Sequence, residues 1–204
     1  MSTSAPASGS TPASGSAKPV DTRGLAGQTV GDTAICAVTQ TELIYRGYEI
    51  ADLAAKATFE EVSFLVLVGH KPTPTELDAW TKEIKTLRDV PAAVREQLQN
   101  VVKGAPTAHP MSLLRTGVSL LSHVDADCES NAPDAELRKA KRLLAKIPTL
   151  IGIIQRTIAG KTALDPDPTL GHAANLLWMM TGRRPSELEA RIVAMDEKKK
   201  RSLA

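Results

Sequence analysis

The sequence predicts an all-α fold behind a short N-terminal β-hairpin, and three observations carry that reading. Only 3% of the residues are aromatic while 42% are hydrophobic, so the core is aliphatic, which suits helix packing better than a β-sandwich. Apolar residues recur at three- and four-residue steps in one segment after another from Ile50 onward. Two of those segments open on Thr58-Phe59-Glu60-Glu61 and Thr73-Pro74-Thr75-Glu76. In each, a threonine hydroxyl and a glutamate three residues later satisfy unpaired N–H groups of a first helical turn.

The 204 residues are enough for one domain with a real core. The net charge of +2 is accounted for by Lys198, Lys199, Lys200 and Arg201 set against Asp196 and Glu197, which leaves a neutral body. A neutral body with few aromatics argues against a nucleic-acid groove. Cys36 and Cys128 are the only cysteines, far apart and without metal-type spacing, so a reducing, cytoplasmic setting and no zinc site are expected. No apolar run is long enough to span a membrane. After Met1, residues 2–18 are Ser, Ala, Gly, Thr and Pro with one lysine, and the stretch 1–18 reads as a disordered tail rather than a signal or transit peptide. Residues 19–195 form the predicted helical domain, and residues 196–204 a charged, frayed end.

In chain order, 33–38 and 43–45 read as two strands around the polar turn 39–42. Arg46, between Tyr45 and Tyr48, reads as stacked on those rings and capping a structural corner rather than facing a ligand. Helices are then expected over 50–57, over 58–68 with Gly69 as the stop, and from Thr73 through Leu77, Trp80, Ile84 and Leu87. Another starts at Pro91 and ends near Gly104. The helix from Pro110 carries Met111, Leu114, Val118 and Leu121 on one face and Leu113, Gly117 and Leu120 on a second. It is therefore expected to be central and covered on two sides, with Gly117 letting a neighbour approach. Residues 125–134 read as a solvated acidic loop without the glycine and spacing of a calcium site. A long helix follows to Ile158, kinked at Pro148, and its apolar turn 150–154 asks for more cover than one layer of helices gives, which points toward a subunit interface. A loop over 160–168, a buried helix over 169–180 and a last helix from Pro185 through Leu188, Ile192 and Met195 complete the pattern.

The four histidines, His70, His109, His123 and His172, show no metal-ligand spacing. His109 precedes Pro110 and reads as a helix cap; His172, among small and apolar residues, reads as a satisfied core histidine. There is no GxSxG, P-loop or GxGxxG. No catalytic, cofactor-binding or metal-binding residue is therefore assigned.

Taken together, several segments resemble the first half of the citrate synthase family. They are Gly24-Leu25-Ala26-Gly27 with Gly31-Asp32-Thr33-Ala34-Ile35-Cys36, then Tyr45-Arg46-Gly47-Tyr48-Glu49-Ile50 with Ala51-Asp52-Leu53, and Phe59-Glu60-Glu61-Val62. Lys71-Pro72-Thr73, Glu76-Leu77, His109-Pro110-Met111 and Leu114-Arg115-Thr116-Gly117-Val118-Ser119 follow in family order. Ala145-Lys146-Ile147-Pro148, Thr181-Gly182 and Pro185 close the series. The stretch from Leu87-Arg88 to Val94-Arg95 leans toward the 2-methylcitrate branch, although the aromatics that branch places near 150–155 are missing.

The resemblance implies the helices of a citrate synthase-like large domain. It also implies a lineage whose reaction joins acetyl- or propionyl-CoA, a substrate rather than a cofactor, to oxaloacetate. Family members use a histidine and an aspartate to form the enol and a second histidine to polarise the oxoacid carbonyl. Those groups lie in the second half of family chains, and no position here matches them. The expectation is thus a truncated family member, inactive alone, that forms a homodimer or a heterodimer with a full-length family subunit. The alternatives are a non-catalytic dimerisation partner or regulator, the scaffold half of a split enzyme, or the product of a broken gene.

Overall fold

Our computed structural model describes residues 32–39, 41–187 and 189. The expected tail over 1–18, the frayed end over 196–204, and Leu188, Ile192 and Met195 lie outside the described residues.

The hairpin is joined by a third strand. Strand β1 (Cys36–Val38) pairs antiparallel with β2 (Leu43–Tyr45), with Cys36 opposite Tyr45 and Val38 opposite Leu43. Then β3 (Tyr48–Glu49) folds back on β2, with Tyr48 opposite Tyr45. The two residues between them, Arg46 and Gly47, both have positive φ, at 47° and 86°. That is the backbone a tight hairpin needs to match strand twist, and it explains a strand that alternation alone did not announce. An arginine seldom adopts it, and this one is held by its side chain. Its Nε and Nη2 donate to Val66 O at 3.2 and 3.0 Å, among the last carbonyls of α2. Arg46 therefore does hold a corner, but by capping a helix end; the ring of Tyr48 is covered instead by Lys71, 4.1 Å from its centroid.

Seven helices follow among the described residues: α1 (Ile50–Lys56), α2 (Phe59–Val68), α3 (Pro74–Thr86), α4 (Ala92–Gly104), α5 (Pro110–Ser122), α6 (Pro133–Ile158) and α7 (His172–Thr181). Both threonine–glutamate capping boxes form as their sequence signatures require. Gly69 ends α2 and Gly182 ends α7, each in the left-handed conformation. His109 caps α5, its Nδ1 accepting from the Met111 N–H at 3.2 Å.

The helix at the centre is α6 rather than α5. It packs on α3, α4, α5 and α7 and runs unbroken through Pro148. One core layer joins Val94, Leu98 and Val102 of α4, Leu113 and Leu121 of α5, and Leu150, Ile153 and Ile154 of α6. A second joins Phe64, Trp80, Ile84 and Ala145, with Trp80 edge-on to Phe64 and donating to Ser63 Oγ at 3.0 Å. Leu113, Gly117 and Leu121 are the buried face of α5, whereas Met111 is 63% exposed. Leu114, Val118 and Leu120 pack half-buried against the same core, so the cover of α5 thins out only toward Met111.

Within the chain the apolar turn 150–154 is buried except at Ile151, which is half-buried. Leu150, Ile153 and Ile154 meet α4 and α5, while Gly152 faces α7 so closely that a Cβ there would lie 2.7 Å from Met179 Cβ. The expectation underrated how much α7 and its preceding loop contribute, because a contact between α6 and α7 has no local signature. The acidic stretch 125–134 is also tied down. Arg142 Nη2 donates to Asp125 Oδ1 at 2.7 Å and Asp127 Oδ2 at 2.6 Å, and Arg138 grips Asp127 and Asp134.

Candidate functional site

The described part of the chain brings its chemistry together where the start of α2 meets the start of α7. The capping box of Thr58 and Glu61 presents Phe59 and Glu60, the first two residues of α2, toward α7. Gly171, at the cap of α7, has no side chain to satisfy the first N–H groups of that helix. Glu60 does part of that work from across the gap: its Oε1 accepts the His172 N–H at 2.9 Å. The His172 ring lies flat on Phe59, with centroids 4.3 Å apart and planes 10° from parallel. Beside these groups opens a cleft of about 610 Å³, lined also by Lys56, Ala173, Ala174, Ser186 and Glu187.

Behind the cleft sits Arg88, only 2% exposed. Its Nη1 donates to Leu170 O at 2.9 Å and Asp167 O at 3.2 Å, and its own carbonyl accepts from Thr149 Oγ1 at 2.8 Å. Its Nε is buried without a partner. Asn175 Oδ1 accepts the Asp167 N–H at 2.8 Å, so Asn175 of α7 and Arg88, just past α3, hold the loop over 165–171, while Thr149 of α6 holds Arg88. Burial pushes the Arg88 guanidinium down, with Glu60 and Asp167 opposing. Hydrogen bonds from Thr169, then the positive charges of Arg184 and Arg88, hold the Asp167 carboxyl below its usual range. Burial first, and the Arg88 charge second, lower His172 to about 4. The ring is therefore neutral at pH 7 and offers one donor and one acceptor.

The histidines singled out in sequence do not converge. His70 pairs with Glu76 at 3.2 Å on an exposed surface, His109 caps α5, and His123 is exposed at the far end of α5. His172 is buried as expected, but neither ring nitrogen has a partner among the described residues, so it is packed rather than satisfied. Sequence reading missed Phe59, Glu60 and Arg88 as its companions. Glu60 and His172 are 112 residues apart, and no local pattern links them. Among the described residues, no three His, Cys, Asp or Glu side chains gather as metal ligands.

The family model described as "Citrate synthase, C-terminal domain" matches residues 24–196. The chain belongs to the citrate synthase family. It is 36% identical over 182 residues to the 2-methylcitrate synthase of Shewanella oneidensis, a match covering 87% of this chain and 46% of that protein. It is 36% identical over 173 residues to the citrate synthase of Haloferax volcanii, covering 82% of this chain and 45% of that one. The crystal structure of citrate synthase from Pyrobaculum aerophilum superposes with a TM-score of 0.76 at 34% identity, over 84% of this chain and 44% of the other. The chain thus spans about half the length of the curated citrate synthase-family relatives it matches. The helices and short sheet agree with that family.

Proposed function

We propose that this chain supplies helical scaffold to a citrate synthase-family enzyme and does not by itself condense acetyl-CoA or propionyl-CoA with oxaloacetate. The observation that carries this is agreement of fold without agreement of length: 84% of this chain aligns with the Pyrobaculum enzyme, yet only 44% of that enzyme is matched. The chemistry supports the same reading. Drawing a proton from a thioester takes a base oriented by a second group in a site that excludes water. Here His70 is committed to Glu76, His109 to the Met111 amide and the His172 ring to Phe59, in an open cleft. The His172 ring is not oriented by a carboxylate, since Glu60 binds its backbone instead. On this reading no residue of the chain is catalytic, and acyl-CoA is the lineage's substrate rather than a bound cofactor.

A second reading, a partner for a full-length family subunit or for a second copy, is favoured by α5. Met111 is exposed, and Leu114 and Val118 are only half-buried on the same helix. The free thiols of Cys36 and Cys128 fit a reducing, cytoplasmic setting for either arrangement. No described helix is long and apolar enough to cross a membrane. The purified chain incubated with oxaloacetate and either thioester is expected to release no CoA, and saturable release would overturn the first reading. Light scattering of the chain with and without a full-length family enzyme tests the second, which a persistent monomer contradicts.

A further inference from the structure

We propose that the cleft beside His172 is a binding site for a small anion, a carboxylate or phosphate group held by the first turn of α7 and the His172 ring. It is independent of the condensation reading, because it uses none of the family's acid–base chemistry.

Three observations converge on it. The first three N–H groups of a helix have no partner within the helix. In α7 the His172 N–H goes to Glu60, while those of Ala173 and Ala174 have no partner among the described residues and border the cleft. The His172 side chain is the independent mark of a ligand. It is 8% exposed, it lines the cleft, and neither ring nitrogen has a hydrogen-bond partner among the described residues. Neither nitrogen is sealed off either, since Arg88 Nε is the one fully buried, unpartnered side-chain atom among the described residues. Leaving a buried polar ring unpaired is unfavourable, and a bound group accepting its N–H would recover that cost. The start of α2 opens onto the same cleft, so the positive ends of two ten-residue helices meet there.

The charges around the cleft permit such a ligand. Glu60 is the nearest negative group, and buried Arg88 behind it opposes its charge. Lys56 and Asp52 form an exposed pair at 2.8 Å, so they cancel. Glu187, at the exposed mouth, is screened by water and selects against polyanions. A volume of about 610 Å³ admits a small metabolite with a single acidic group.

Titration of the isotope-labelled full chain with inorganic phosphate, and separately with acetate, tests the proposal by amide NMR. The expected result is saturable shifts at the Ala173 and Ala174 amides with at least one probe, and whichever binds tighter identifies the acid class. His172→Phe keeps the stack on Phe59 and removes the ring donor, so binding should weaken about tenfold, the worth of one hydrogen bond. Glu60→Gln keeps an acceptor for the His172 N–H and removes the competing charge, so binding should tighten. It also serves as the second arm if His172→Phe does not fold. Shifts that fail to saturate with both probes, or affinity that Glu60→Gln leaves unchanged or weakens, would overturn the site.

Discussion

Single residues set the tightest limits on this fold. A Cβ at Gly152 would stand 2.7 Å from Met179 Cβ and 3.5 Å from Met179 backbone atoms, whereas one at Gly117 would meet only the ends of Leu150 and Leu98 at 3.3 Å. Alanine is worth up to about 1 kcal/mol more than glycine inside a helix. Gly117→Ala should therefore be close to neutral, because two leucine methyls can give by a few tenths of an ångström. Gly152→Ala must push backbone apart, and should lose about 1–3 kcal/mol in urea unfolding; equal midpoints for the two variants would refute the difference. His172 carries a pH signature as well. Its folded pKa of about 4 lies below the unfolded value near 6.5, so between those values the unfolded chain binds more protons. Stability is intact above pH 6.5 and declines as pH falls toward 4, by about 3 kcal/mol in all. The His172→Phe variant should show a shallower decline over that window, and identical slopes would show that the ring does not titrate as described.

At the scale of elements, what was readable in sequence was local. Thr58 with Glu61, Thr73 with Glu76, and His109 before Pro110 act within four residues of chain, and all three caps form where sequence places them. Contacts across the chain were not readable. The Asp125–Asp127 stretch looks solvated in sequence because its partners, Arg138 and Arg142, stand on the next helix, 11 to 17 residues away. Strand β3 was hidden because it depends on a left-handed arginine that Val66 O holds in place. The clasp makes its own prediction. Arg142→Met removes the bonds to both aspartates and leaves Asp127 to Arg138, so the amides of Asp127, Cys128 and Ser130 should exchange faster while the α4–α6 core keeps its protection. Uniform exchange across both regions would show the clasp to be idle. Hydrogen bonds from Arg138 and then Arg142 hold the Asp127 carboxyl well below the usual range. The clasp therefore persists through mild acid and is lost only as pH falls through that depressed pKa, below the window assigned to His172.

For the whole molecule, the family was legible because ordered short motifs survive without knowledge of contacts, and the match over residues 24–196 agrees. The arrangement around α6 was less so. The apolar turn 150–154 invites a second subunit only until α7 and its loop are in place, with Arg88 and Asn175 bonding that loop and Thr149 holding the Arg88 carbonyl. The cleft was not legible at all, since Phe59, Glu60, Arg88 and His172 come from four separated stretches. The scaffold packs its own core while His109 caps a helix, His70 bonds Glu76 and His172 stacks on Phe59. Thiol-trapping of CoA decides most directly whether that scaffold is catalytic: the full chain at micromolar concentration is given oxaloacetate with acetyl-CoA or propionyl-CoA, beside an active citrate synthase. Release no faster than in buffer is expected for either thioester; release that saturates with oxaloacetate and scales with the amount of chain would contradict a non-catalytic scaffold.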